Sequence, residues 1–444
     1  MKLSCVIRSL CVIALFVSES LAAESPDPDP TQSNSPPAGI PSSPSPPAQP
    51  SSLDDTLEAA EASAEMPAIN LAKWNEFDRK YISMRIGFGL LYEYDSYAQN
   101  EKSKEQFVMH STDKLRDFRI LLKGRLKFFK RPVTYTMGLM WDSSIDEWVA
   151  RQTGIMFPVP KIGGELFIGR TKEGFSLNKV MVGYSLWTME RFTMSDATLP
   201  ILADGVKWYG YNEKAKMIWN VGFYGDWMSQ NQAFSTYDHQ VSGRIAWVPI
   251  MSAKTNKVFH LGLGVRYGVP KNQMLQPRSR PESNPAPYFV DTGQFAAKRT
   301  KMHGPEVYYR SGPLLVGSEY FIQKVDAPAS KDPLFHGGDA SVTWVATGEV
   351  RPYNTRGGFF DMISPARPVF QGGPGAWELV GRVSYIDLDG GTLRGGKFWR
   401  ITPMVNWYLS DNVRLEFVYG YGSLNRFVLN GKTQFFQTRL QLQL

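Results

Sequence analysis

The chain has 444 residues, 43% of them apolar, 13% aromatic and 20% charged, with a mean hydropathy of -0.28 and a formal net charge of +7. A mean hydropathy below zero excludes a bundle of membrane-spanning helices, since each span needs roughly 20 nearly uncharged apolar residues. Both cysteines, Cys5 and Cys11, fall within the N-terminal apolar segment, so no disulfide framework or thiolate metal site is expected in the mature chain.

Residues 1–23 carry Lys2 and Arg8, an apolar run from Leu10 to Val17 and small residues at Ala22 and Ala23, the layout of a cleavable export signal. Residues 24–52 form a Pro/Ser-rich linker, which cannot bury enough apolar surface to offset its ordering entropy. Within 53–66, Leu53, Leu57, Ala60 and Ala64 repeat at helical spacing, so a short helix or a frayed continuation of the linker is expected. Residues 24–66 hold eight acidic side chains and no Lys or Arg, which leaves the body, residues 67–444, at +14. Such a body attracts anions. The export signal argues against nucleic acid as the partner.

From residue 80 to the last residue the dominant pattern has period two. Phe118, Ile120, Leu122 and Leu126 share one face, and Arg119, Lys123, Arg125 and Lys127 the other. Near the C-terminus Trp399, Ile401, Val405 and Trp407 alternate with Arg400, Thr402 and Asn406. Comparable runs predict sixteen strands at 83–93, 116–128, 132–142, 148–157, 163–170, 205–211, 215–226, 237–248, 257–269, 303–311, 313–324, 339–350, 375–388, 397–409, 412–422 and 433–444. Several have the 9 to 11 residues that a tilted strand needs to cross a bilayer. Tight turns (130–131, 212–214, 410–412) alternate with long loops (94–115, 171–204, 270–302, 351–374), as when the tight turns gather at one end and the long loops at the other. The fold class expected is all-β, a closed transmembrane antiparallel barrel of about sixteen strands, because a lipid-exposed sheet edge would leave backbone groups unpaired. A soluble secreted β-rich binding protein or enzyme would use the same alternation to build a core. A plugged outer-membrane anchor would insert without conducting.

No catalytic residue, metal site or cofactor is expected. The histidines at 110, 239, 260, 303 and 336 have no metal-ligand spacing and read as solvated loop or strand-end residues. Gly262-Leu263-Gly264 and Gly372-Gly373-Pro374-Gly375 read as bends, since neither opens a helix. On the faces set by alternation Arg119, Lys123, Arg125, Lys127, Arg244, Arg266, Arg382, Arg400, Arg414 and Arg439 point into the lumen, where they would line the pore and bind anions.

The stretch Gly169-Arg170-Thr171-Lys172-Glu173-Gly174-Phe175-Ser176-Leu177-Asn178, followed by Met189-Glu190-Arg191-Phe192, resembles the phosphate-selective porin O and P family. Thr347-Gly348-Glu349-Val350-Arg351-Pro352-Tyr353 and Gly375-Ala376-Trp377-Glu378-Leu379, with Arg382, Ser384, Tyr385, Asp387 and Leu388, are similar to that family's late strands. The resemblance covers residues 80–444. It implies a sixteen-stranded barrel in a bacterial outer membrane, a homotrimer embedded in lipid, which passes phosphate or other small anions by passive diffusion. It also implies a constricting loop over residues 171–204, where Lys172 and Arg191 would bind the anion unless Glu173 and Glu190 neutralise them. The Pro-rich stalk would reach toward the cell wall. A general anion pore or non-specific porin is the alternative. Two departures stand out: Leu122 replaces one arginine of a pair frequent in the family's second strand, and the chain ends on Leu444 where an aromatic residue is usual.

Overall fold

The computed structural model describes residues 75–131, 133–142, 147–225 and 237–444. The expected signal peptide, linker and short helix therefore lie outside the described residues.

Sixteen long strands follow one another along the chain: β1 Ile82–Gln99, β2 Thr112–Leu126, β3 Val133–Asp142, β4 Glu147–Pro158, β5 Glu165–Thr171, β6 Ala203–Asn212, β7 Met217–Gly225, β8 Tyr237–Ser252, β9 Lys257–Pro270, β10 Arg299–Ser311, β11 Leu314–Asp326, β12 Leu334–Val345, β13 Ala376–Gly390, β14 Leu393–Tyr408, β15 Val413–Arg426 and β16 Leu429–Gln443. Each pairs antiparallel with the next, and β16 pairs with β1 from Gly89 opposite Gln443 to Gln99 opposite Thr433. The sheet is closed, so it has no unpaired edge to offer lipid. A short strand, Glu76–Asp78, is added beside the start of β1.

Each predicted strand coincides with an observed one, but several boundaries move. β1 runs six residues further than predicted, because Tyr94 to Gln99 stay paired with β16. The predicted 94–115 loop accordingly shrinks to 100–111 and contains the helix α1, Glu101–Gln106, whose N-cap Asn100 accepts from the Ser103 amide at 2.9 Å. The predicted 339–350 strand is shifted to β12, since Gly348 turns the chain off the wall with φ +97°.

Burial is inverted relative to a soluble sheet. On β13 and β14 the outward Val383 and Ile401 are 50% and 46% exposed, whereas the inward Arg382 and Arg400 are 3% and 1% exposed. An apolar exterior and a polar interior are what lipid outside and water or packed loops inside select.

The two ends of the barrel differ, and here one expectation is corrected. The start of β1, the end of β16 and the tight turns 127–132, 159–164, 213–216, 253–256, 312–313 and 409–412 share one end. The connections 100–111, 172–202 and 271–298 share the other. The 30-residue connection 346–375 was expected among the long loops, yet it joins β12 to β13 at the end of the tight turns. It folds into the barrel, burying Arg351, Phe359, Phe360 and Ile363. Strand parity sets the end at which a connection emerges, whatever its length.

Candidate anion-binding site

The connection 172–202 folds into the barrel from the end of the long loops. Gly169 in β5 has φ +140°, and a Cβ there would come within 2.2 Å of the Thr153 carbonyl oxygen, so this step of the motif requires glycine. The loop contains α2, Leu177–Val180, with Ser176 as N-cap, and α3, Thr193–Thr198. The Leu177 and Asn178 amides donate to Glu306 of β10 at 2.6 Å and Glu319 of β11 at 2.7 Å. These two acids therefore cap the helix, satisfying free amide groups at its start. Phe175, Phe192 and Met194 enter one apolar cluster with Phe321, Phe335, Phe398 and Phe435 of the wall. Leu186, Trp187 and Met189 enter another with Val380, Met404 and Val418. Gly264 permits this approach, since a Cβ there would lie 1.9 Å from the Phe175 carbonyl oxygen.

The arginines that alternation assigned to the lumen do point there, and six of them hold the folded-in loops. Arg439 donates to the Met189 carbonyl and pairs with Glu93 at 2.5 Å and Glu190 at 2.6 Å. Arg414 donates to the Leu186 carbonyl at 2.7 Å and pairs with Glu416. Arg382 donates to the Glu190 carbonyl at 2.8 Å and pairs with Glu282 of the 271–298 connection. Arg400 donates to the Pro281 and Glu282 carbonyls at 2.6 and 3.1 Å. Arg266 pairs with Glu173 at 2.6 Å. Arg244 pairs with Glu306 and donates to the Gly357 and Gly358 carbonyls at 3.0 and 2.7 Å. None of the six is more than 4% exposed. A buried guanidinium must be paired and hydrogen-bonded to offset its desolvation, and here the loop backbone and carboxylates do both.

Lys127 lies one residue beyond the end of β2, where it is exposed and pairs with Asp78, which through Ser83 shares the face of Arg125. One sequence reading is corrected at this point. His260 is not solvated; it is buried, with Nε2 2.8 Å from Glu306 and Nδ1 2.6 Å from the Tyr353 hydroxyl, where it ties the 346–375 connection to the wall. Arg119 does face inward and pairs with Asp117 while stacking 4.5 Å over Tyr184. Lys123 and Arg125 lie on the same inward face of β2, half-buried. Leu122 faces outward opposite Met137, so the departure at this position removes no lumen charge.

Six to eight strands around the closed sheet from Glu306 and Glu319, cations gather. Arg116 and Arg119 of β2, Arg151 of β4, and Lys172 and Arg191 of the loop lie within electrostatic reach of one another. The neighbouring carboxylates have other partners: Glu173 pairs with Arg266, Glu190 with Arg116 at 3.1 Å and with Arg439, Asp117 with Arg119, while Asp196 accepts from the Ser279 hydroxyl and Glu319 from the Asn178 amide. Lys172 and Arg191 both donate to the Met181 carbonyl, and Arg191 also to the Asn178 carbonyl at 3.0 Å. Among the described residues neither has an ion pair, and Arg151 has neither an ion pair nor a side-chain hydrogen bond. All three are half-buried and keep some access to water.

The titration of the loop groups follows from this crowding. Burial, then Arg191, Lys179, Arg151 and Arg119, hold the Lys172 ammonium well below the usual lysine range. Burial and Arg191 push Lys179 down to about 7, and burial brings Arg191 down to about 10. Burial would raise the Glu190 carboxyl, but Arg116 and Arg439 outweigh it and hold it at about 2. Cations in excess of the carboxylates paired to them are the electrostatic condition for a small anion to settle.

Sequence reasoning missed Arg151, Arg116 and Arg351. Arg151 sits beside a register shift between Met137 and Leu139, where the period of two on β4 breaks. Its signal was the Val149, Arg151 face opposite Trp148. Arg116 occupies the bulge between Leu91 and Tyr92. Arg351 lies in a connection, where alternation says nothing; it pairs with Glu378 at 2.8 Å and donates to the Ser185 and Asp361 carbonyls.

Residues 141–444 match the family described as phosphate-selective porin O and P. An uncharacterized protein of Caulobacter vibrioides is 32% identical over 131 residues, 30% of this chain, and the chain spans about a quarter (26%) of that relative's length. Among solved structures, in-vitro folded OmpT of Vibrio cholerae superposes with a TM-score of 0.54 at 11% identity, covering 83% of this chain and 99% of that one. The outer membrane channel DcaP of Acinetobacter baumannii gives 0.51 at 9% identity over 83% and 99%. An anion-selective porin from Comamonas acidovorans gives 0.50 at 12% identity over 82% and 100%. These structural likenesses concern the fold.

Proposed function

The chain belongs to the phosphate-selective porin O and P family and is an outer-membrane porin, and we propose that it passes small anions, phosphate preferentially, along the wall formed by β2 to β4. The observation that supports this reading is the group Arg151, Lys172 and Arg191: three partly accessible cations that make no ion pair among the described residues, in a lumen where six other arginines hold the folded-in loops. An anion entering between them gains about 4 kcal/mol per cation at 4 Å when the effective dielectric is near 20, less its own desolvation. The seat is therefore real but reversible, as conduction requires, because an ion held too tightly would block the pore. Arg151 and Arg191 suit bidentate contact with phosphate oxygens, and Lys172 supplies a point attraction. A homotrimer is the assembly we propose, in keeping with a trimer form of Vibrio cholerae OmpT among the similar structures.

The test is planar-bilayer conductance of the detergent-purified mature protein in chloride, with phosphate then titrated in. Anion-selective channels whose chloride current falls as phosphate rises are expected. Channels indifferent to phosphate would reduce the proposal to a general anion pore, and failure to conduct would leave a plugged anchor.

A further inference from the structure

On the outside of the barrel, at the end of the long loops, Lys301 of β10 and Lys324 of β11 stand directly opposite each other in the antiparallel register. Burial alternates along both strands, and both lysines fall on the exposed outward face. Like charges opposed in this way destabilise a strand pair, their Cβ atoms being about 5 Å apart. Nearby acids do not relieve the repulsion. Asp326 is taken by Arg299 at 2.6 Å, and Asp387 by Lys397 at 2.8 Å. Among the described residues neither Lys301 nor Lys324 has an ion pair.

Their level on the barrel says what relieves it. Moving from Lys324 toward the middle of β11, the outward residues are Ile322, Tyr320, Ser318 and Val316. On the other flank Tyr267 of β9 is the register partner of Lys301. Tyrosines mark the depth at which the apolar band of a barrel meets water, and the long-loop end of such a barrel faces the cell exterior. The two ammonium groups thus stand at headgroup depth, above Ile322 with His303 and His336 on its flanks, and beneath these the wall turns apolar at Val307, Val316 and Val342.

We propose that Lys301 and Lys324 form an exterior clamp for the phosphate of an outer-leaflet lipid, whose chains lie along Ile322 and the apolar residues beneath it. The phosphate sits between two cations that otherwise repel, so binding converts an unfavourable pair into two attractions. This site is separate from the lumen and does not rest on the pore reading.

The probe is a synthetic diphosphorylated, multiply acylated glycolipid added to the detergent-purified mature protein and followed by native mass spectrometry. One tightly retained lipid is expected for the wild type, with retention about thirty-fold weaker in Lys301→Gln/Lys324→Gln, at roughly the energy of one surface cation per lysine. Lys301→Arg/Lys324→Arg should retain it. Heat-dependent gel mobility and chloride conductance, which the clamp does not touch, report that each variant is folded. Equal retention by the Gln variant would overturn the proposal. So would displacement of the lipid by millimolar inorganic phosphate, which would make the site one for free phosphate. Protection of both lysines from acetylation in lipid-free oligomers would overturn it in favour of an interface between copies.

Discussion

Arg151→Gln removes a cation that supports nothing in the fold: among the described residues its side chain makes no hydrogen bond or ion pair, and it keeps partial access to water. A hydrogen bond between charged groups contributes about 1.5 to 3 kcal/mol, which corresponds to roughly ten- to hundredfold in anion affinity. Part of this is returned, because Arg151 also repels Lys172 and Arg191, and its loss lets Lys172 hold its proton more firmly. The expected effect therefore lies at the lower end, about tenfold in the phosphate concentration that halves the chloride current. Arg414→Gln is the matched control. Arg414 is 2% exposed and holds the Leu186 carbonyl, so its loss should loosen the loop and add current noise with little change in the half-blocking concentration. An unchanged half-block in Arg151→Gln together with a large shift in Arg414→Gln would refute the division of arginines into anion-binding and loop-holding sets.

Anion block should weaken as pH rises, since an anion at Lys172 favours the charged ammonium while the empty site, with its depressed titration, loses the proton. Sulfate, which stays divalent from pH 6 to pH 9, is the probe for this, and Lys172→Met should abolish the slope. Neutralising Lys123 and Arg125 together should lower anion-to-cation permeability without shifting the half-block, because both lie on the inward face of β2 and outside the seat; an unchanged reversal potential would contradict their inward placement. Arg351→Met leaves Glu378 buried without its cation, at a cost of about 3 to 5 kcal/mol. The expected readout is protease cleavage within 346–375 while the barrel remains resistant.

The alternation of apolar and polar side chains carried the barrel, its sixteen strands and the inward direction of the arginines, because a strand's side-chain period is two whatever surrounds it. The family resemblance around Lys172 and Arg191 pointed to 171–204 as an inward loop, and 172–202 does fold into the barrel. What alternation could not tell was occupancy. Arg414 and Arg151 look alike in sequence, yet one is bound by a loop carbonyl 228 residues away in the chain as well as by Glu416, while the other makes no ion pair or side-chain hydrogen bond among the described residues. Nor could loop length reveal that 346–375 enters from the end of the tight turns, since that follows from how many strands precede it. Period is a local property of the backbone, whereas the pairing of a buried charge is decided by whatever the fold places opposite it.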